Sequence, residues 1–472
     1  MILYLFNNQL FDKKYIPKGI TQIYLIEDPI FYGKGRKPYL KFNLLKLQYQ
    51  RLAFMSYKKY LIESGYKVKV FNENNVKKYP LNNEEEVIIY DPVDHVLIKK
   101  LSKLKLTILE NPNFLLTNDE LKEYLKMHKS ERYQHSNFYN YVKKKVNLLV
   151  NTKSYDNDNR YKLPKDLKLP CLKCYSPSSK ELEIVTKYID STKYKYRKYG
   201  KQRLIFPYTH KDAKEWLIKF IKERINNFGK YQDAISSENN FMYHSCISPM
   251  LNLGLLQPKQ ILNELIKYKD KIPINSFEGF VRQLIGWREY QRFIYKNRYE
   301  SHFPNYLNQK GVLSKHWYNG TTNIRPVDKS IKTAYKYGYL NHIERLMVMG
   351  NFMTLCRIKP EEQYKWFMEF SLDSYDWVMY QNILMISYAD GGYTMRKPYL
   401  SSSNYILKMS DYNKKEEWVK LWNALFYLFL VDKEKELNKT IYIRNLSYWR
   451  KLNKIEQNNM IKMVKNYINY IK

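Results

Sequence analysis

Cysteine is scarce in this chain: four among 472 residues, too few for a disulfide framework. Long apolar runs are missing too. The longest, near Ala424–Val431, falls far short of the roughly 20 residues a bilayer-crossing helix needs. The opening MILYLFNNQL has no basic leading segment and no small-residue cleavage site, so it reads as a strand and not as a targeting signal. No Gly-rich dinucleotide fingerprint follows the early strands, and no Walker loop occurs. Acidic residues are few beside basic ones, 46 against 81. These shortages exclude a disulfide scaffold, a helical membrane protein and a P-loop nucleotidase. The expectation is a soluble intracellular chain without a membrane partner, in a cytoplasm or nucleoid or in a viral setting.

What remains is a core-forming composition. Hydrophobic residues make up 44% and aromatics 16%, enough for two or three packed domains in 472 residues. The net charge of +35 points to a polyanionic partner, foremost nucleic acid, because Lys and Arg displace counterions from phosphates. Lys, Asn, Ile and Tyr are abundant throughout, as AT-rich coding sequence alone would also produce.

Residues 1–130 read as an α/β domain. The segments ILYLF (2–6), QIYLIE (22–27), VKVF (68–71) and EVIIYD (86–91) are short and β-rich. The amphipathic stretch 39–65 between them closes on Gly65, a helix stop. Strand–helix–strand alternation predicts a parallel sheet, with ligands outside the carboxyl ends of its strands. Asn7, Asn8, Gln9 and Glu27 are therefore candidate pocket residues. Residues 131–200 read as an interdomain linker, Pro-, Asn- and Lys-rich from about 150. Its single C-x-x-C, Cys171 and Cys174, supplies two ligands and no zinc set, so it reads as a surface loop. Residues 201–472 read as helical, starting with Thr209 as a cap before Ala213, Trp216, Leu217, Phe220 and Ile221 on one face.

Four segments of the second half join helices to polar or glycine-rich elements. They are FGKYQDAI (228–235) with ISPMLNLGLL (247–256), FVRQLIGWREYQR (280–292), HIERLMVMGNF (342–352), and the stretch from Tyr388 to Tyr412 with ADGG, KPY, SSSNYI and KMSDY. Each alone has an ordinary structural explanation. In this order and spacing, with NNQL (7–10), NPNFLLT (111–117) and DNDNRYKLP (156–164), they resemble the photolyase/cryptochrome superfamily. The similarity is greatest to its bacterial-type branch of iron–sulfur cryptochromes and (6-4) photolyases.

That resemblance implies an antenna-type α/β domain followed by a large all-α domain holding FAD in a bent form. It implies Ser248 at a phosphate and Arg288 at the pyrophosphate. Asn382 falls at the ring nitrogen that gains a proton on reduction, and Asp390 at the ring edge. Gly391 and Gly392 allow close backbone approach. Ser248, standing before Pro249, serves equally as a helix cap. His342 matches the histidine of (6-4) repair, suited to proton donation near neutral pH, with Tyr399 and Trp287 lining the lesion cavity. The implied partner is UV-damaged DNA, bound by a monomer. KYKYRKYGKQR (193–203) interleaves bases and aromatics in a way that suits a nucleic-acid backbone track or a solvated basic loop.

The chain also departs from the branch. Its four cluster cysteines are missing: Pro326, Asn413 and Glu416 stand at three of the positions, and no cysteine follows Cys356. No iron–sulfur cluster is expected, and the apolar helix at 414–431 is expected to fill its place. Trp366 matches the electron-relay tryptophan nearest the flavin, but Phe367 replaces a relay tyrosine and Tyr318 stands where a distant tryptophan belongs. A lumazine-type antenna would meet Asn8, Gln9 and Glu27, although substitutions around 33–50 alter that pocket. The functional expectation is a light-driven DNA repair lyase for UV photoproducts, foremost the (6-4) photoproduct. The alternatives are a blue-light photoreceptor of the same fold and a non-photochemical DNA-binding protein.

Overall fold

The structure, a computed structural model, describes residues 1–20, 22–36, 40–76, 86–128 and 132–472. The strands are β1 (Ile2–Phe6), β2 (Gln22–Ile26), β3 (Phe42–Asn43), β4 (Lys67–Phe71), β5 (Val87–Tyr90), β6 (Leu106–Leu109) and β7 (Tyr196–Arg197). Five of them build one parallel sheet in the order β4-β2-β1-β5-β6. In register, Ile2 sits beside Gln22 and Val87. The four β-rich segments of the sequence are all strands; β6 (LTIL) is an additional edge strand, short, partly exposed and preceded by Lys103 and Lys105. β1 and β5 are buried along their whole length, as central parallel strands must be.

Helix α1 (Leu44–Glu63) begins at Asn43, whose side chain accepts from the Leu45 N–H, and stops at Ser64–Gly65, where Gly65 takes a φ of 91°. α1 is buried on several sides because it lies between the sheet and the helical half. Lys46, fully buried on α1, reaches across and donates from Nζ to the carbonyls of Met368 and Ser374, both at 2.8 Å. Tyr49 donates to the Pro207 carbonyl. Arg36 pairs with Asp94 on one side and Asp376 on the other.

The 131–200 segment is more than a connection. It contains α2 (His135–Lys145) and α3 (Ser179–Ser191), and β7 pairs with β3 in a second, two-stranded sheet. α3 has a full capping box, Ser178 with Glu181, which its polar surroundings obscure in the sequence. The C-terminal half is helical. Its longer elements include α4 (Arg288–Arg298), α5 (Arg325–Tyr337), α6 (Pro360–Phe370), α7 (Asp376–Ile386), α8 (Glu417–Asp432) and α9 (Lys454–Ile471). Two segments are π-helical, Arg282–Trp287 and Glu344–Gly350. A continuous apolar core runs through both halves. Among the described residues no helix is long and apolar enough to cross a membrane.

Candidate functional site

A cavity of about 840 Å³ opens in the helical half. Both π-helical segments face it, the first through Arg282, Gln283, Leu284 and Trp287, the second through Arg345, Leu346 and Met347. A π-turn slips the side-chain register, so residues that an ordinary helix would send to different faces converge here.

The deep wall carries Arg288, buried at 7% exposure. Its Nε donates to the Asn113 carbonyl at 3.1 Å, and Nη1 donates to Asn252 Oδ1. Nη2 has no partner. The guanidinium lies 4.8 Å from the Trp377 ring and 5.1 Å from Phe114. Desolvation pushes its pKa down to about 9, against the favourable charge of Glu289. Gln232 Oε1, also in the wall, has no partner among the described residues either. Asn382 uses its amide N–H on the Val378 carbonyl, 2.8 Å away, which leaves its oxygen available.

Arg345 and Asp373 form a bidentate pair, 3.0 Å at both oxygens, within the lining. Ser248 donates its hydroxyl to Asp373 at 2.5 Å. Burial would raise the Asp373 pKa, but Arg345, Ser248 and Ser371 hold it below the usual range.

His342, 35% exposed in its side chain, places Nε2 3.2 Å from Asp233 Oδ1. Tyr405 donates to the other Asp233 oxygen at 3.4 Å. The ring of His244 stands edge-on to His342, 5.8 Å between centroids. Burial, with the adjacent His342, pushes His244 down to about 4. Tyr399 is half-buried in the lining, and burial raises its pKa, so it stays a phenol. Trp287 stacks face to face on His135, 3.7 Å between centroids and 12° between planes. Burial pushes His135 down to about 3, so the stack is between neutral rings.

Residues 3–202 match the family described as deoxyribodipyrimidine photo-lyase-related protein, and residues 278–467 match the FAD binding domain of DNA photolyase. A (6-4) photolyase of Agrobacterium fabrum (strain C58 / ATCC 33970) is 32% identical over 325 residues, 66% of this chain. The match spans 62% of that relative's length. The uncharacterized protein R855 of Acanthamoeba polyphaga mimivirus is 49% identical over 24% of this chain and 90% of its own. The crystal structure of the Synechocystis sp. PCC6803 cryptochrome superposes with a TM-score of 0.58 at 13% identity, covering 100% of this chain and 98% of that one. The chain belongs to the photolyase/cryptochrome superfamily. Within it, the chain falls in the deoxyribodipyrimidine photolyase-related branch.

The photolyase-type cavity suits FAD by its donor set. Among the described residues, an arginine nitrogen without a partner and an unpaired amide oxygen stand in a wall that also presents the apolar side chains of Leu251, Phe280, Leu284 and Met385. Of the residues expected at a flavin, Ser248, Arg288 and Asn382 line this cavity. The hydroxyl proton of Ser248 is directed at Asp373, so toward a phosphate it offers only lone pairs. Asp390, Gly391 and Gly392 are not in the lining. Asp390 caps its own turn, accepting from the N–H groups of Gly392 (3.1 Å) and Thr394 (2.9 Å). Gly391 and Gly392 have positive φ of 64° and 89°, and a Cβ on them would meet the Tyr306 ring and the Tyr388 hydroxyl. These glycines serve the turn and its aromatic packing.

The expected lesion residues His342, Tyr399 and Trp287 all line the cavity. Trp366 lies one layer behind, its ring 5.1 Å from that of Phe367, which is in the lining. Trp366 Nε1 donates to the Trp317 carbonyl. Tyr318 does not reach Trp366; its ring lies under Arg197. The tyrosine beside Trp366 is Tyr335, 6.3 Å away, and Tyr335 stacks at 3.8 Å on half-exposed Tyr199.

Asp233, Arg345, Asp373 and His135 were missed by sequence reasoning. Asp233 lies inside the quoted FGKYQDAI, so its signal was present; His135 had none. In the sheet domain, Glu27 is fully buried and accepts from Tyr32, from Tyr188 at 2.5 Å and from Arg51 at 2.9 Å. Gln9 donates to the Tyr90 carbonyl.

Proposed function

We propose that this protein is a light-driven DNA repair lyase acting on UV-induced pyrimidine photoproducts, foremost the (6-4) photoproduct. The observation that carries this reading is the His342–Asp233 pair on a cavity that also presents an under-partnered arginine. A relative named (6-4) photolyase supports it. Arg288 would hold the FAD pyrophosphate, whose charge would reverse the depression of its pKa, and Asn382 the edge of the ring. Bound FAD, reduced and lit by blue light, supplies the electron for the lesion. His342 hands a proton to the lesion, and Asp233, bonded to the same ring, orients it. Trp287 and Tyr399 hold the flipped-out bases by stacking and exclude water.

We assign the relay behind the cavity to Trp366, Tyr335 and Tyr199, and not to Tyr318. Trp366→Phe and Tyr335→Phe should slow flavin photoreduction, and Tyr318→Phe should leave the rate unchanged. The place of the cluster ligands is taken by side chains. Glu416 accepts from Arg325 (3.2 Å), from the Asn413 N–H (2.9 Å) and from Trp418 Nε1 (3.0 Å), beside the packing of α8. We infer that no cluster forms there; iron near one cluster per chain would overturn this. With Glu27 and Gln9 bonded within the fold, we infer that a lumazine-type antenna is not held at these strand ends; a second chromophore released on denaturation would overturn it.

The test is repair of two oligonucleotides, one with a (6-4) photoproduct and one with a cyclobutane dimer, in blue light and in the dark. Light-dependent restoration of the first alone is the expected result. Bound, photoreducible FAD with no repair of either would transfer the protein to a photoreceptor role.

A further inference from the structure

A second concavity, about 540 Å³, lies along α5. Arg325, Lys329, Lys332 and Lys336 follow one another at spacings of four, three and four residues, which places them on one helical face. All four line this groove. Its opposite wall is the loop holding Ser237, Glu238 and Asn240, tied to α5 by Thr333 Oγ1 donating to Asn240 Oδ1 at 3.0 Å. The charges are unequally engaged. Arg325 is paired with Glu416 and Lys329 with Glu344. Lys332 and Lys336 are exposed, and among the described residues neither has a carboxylate within ion-pair distance. Of the groove's two carboxylates, Asp328 accepts from the N–H groups of Thr322 and Asn323, which leaves Glu238.

The groove does not end with the helix. The basic loop 193–203 docks on the C-terminal end of α5. Tyr199 stacks on Tyr335, Gln202 donates to the Tyr335 carbonyl at 3.2 Å, and the Arg203 N–H donates to the Lys336 carbonyl at 2.7 Å. Lys195, Lys198, Lys201 and Arg203 are exposed there, so two segments over a hundred residues apart build one cationic surface with Lys332 and Lys336. This surface is coupled in space to the main cavity. The segment 232–245 faces the cavity with Gln232, Asp233 and His244 and the groove with Ser237, Glu238 and Asn240.

We propose that this groove and loop form a binding track for the phosphodiester backbone of a DNA strand flanking the base pair being read at the cavity. The inference rests on the DNA-repair reading above and adds where the strand runs. Ammonium groups held on one helical face match a repeating anion without reading its bases, and hydroxyl and amide groups along the wall can donate to further phosphate oxygens. The cation-rich, carboxylate-poor surface favours a polyanion over an acidic peptide, whose charges are irregularly spaced.

The test is equilibrium binding of a fluorescent undamaged DNA strand and its duplex by anisotropy, between about 50 and 200 mM salt, where phosphate contacts dominate the affinity. Lys332→Glu with Lys336→Glu is compared with Lys462→Glu and Lys465→Glu on α9, which changes net charge equally and is also exposed. If the track is used, the α5 variant loses about one unit of log–log salt slope per contact removed, and about tenfold or more in affinity at the low-salt end. The α9 variant stays near the parent. Equal losses in both variants would reduce the effect to net charge and overturn the track. Tighter retention of an RNA strand than of DNA of the same sequence would overturn the DNA assignment. A parent protein that repairs lesions while the α5 variant binds and repairs as well loses only this inference. A parent that binds no DNA at all overturns the repair reading with it.

Discussion

His342 and Asp233 come from segments 109 residues apart and meet at 3.2 Å. The sequence showed one partner of this pair through its motif and concealed the other in a quoted stretch with no special role, because a carboxylate in a short connecting loop looks like any solvated acid. The same holds for Arg345, which lies in HIERLMVMGNF three residues after the histidine and carries no role of its own in that motif. Its pairing with Asp373 becomes visible only when the chain from α6 to α7 folds back. The opposite error arose at Asp390–Gly392, where small and acidic residues suggested a ligand and the turn needed them for itself. Asp233→Asn should keep the flavin spectrum and lower (6-4) repair on the order of 100-fold. Unchanged repair would remove Asp233 from proton handling.

At the scale of elements, the parallel strands were legible because buried parallel strands are short and β-branched, and α1 because its cap and glycine stop are local. The two π-helical segments were not. A periodicity of 3.6 cannot register an extra residue in a turn, and those turns are what bring Arg282, Trp287, Arg345 and Met347 to one cavity. The second segment ends on Gly350, which has no room for a side chain. A Cβ there would lie 2.2 Å from Ile386 Cγ2 and 3.0 Å from the Arg345 carbonyl, and both neighbours line the cavity. Gly350→Ala should cost about 1–3 kcal/mol by overpacking. It should also loosen flavin retention, read as a lower denaturant midpoint and more released FAD per chain. A midpoint equal to the parent's would show that α7 yields freely.

At the scale of the molecule, the proposed division into a sheet domain, a linker and a helical domain describes the chain better than it describes the packing. The linker folds into α2, α3 and β7, and a continuous core passes from the sheet to α8. Arg36 bridges Asp94 of the first half and Asp376 of the second, and Tyr49 bonds to the Pro207 carbonyl. None of these long-range ties has a sequence pattern, since each depends on final geometry. Heating should therefore unfold the protein in one calorimetric transition, with van't Hoff and calorimetric enthalpies in agreement. Two separated peaks would show that the halves are energetically independent.

Lys46, reaching from α1 to the carbonyls of Met368 and Ser374, carries a consequence for proton balance. Burial pushes its pKa from the usual 10.5 down to about 7, against the attraction of Asp373. Between these values the folded chain holds this amine largely neutral, and the unfolded chain holds it charged. Folding in mildly alkaline solution then expels a proton, and stability from this group rises with pH across that window. The measured heat of unfolding should depend on the ionisation enthalpy of the buffer there, and Lys46→Met should reduce that dependence by the share of one proton. The lysine that ties the two halves together is in this sense a proton valve on their assembly.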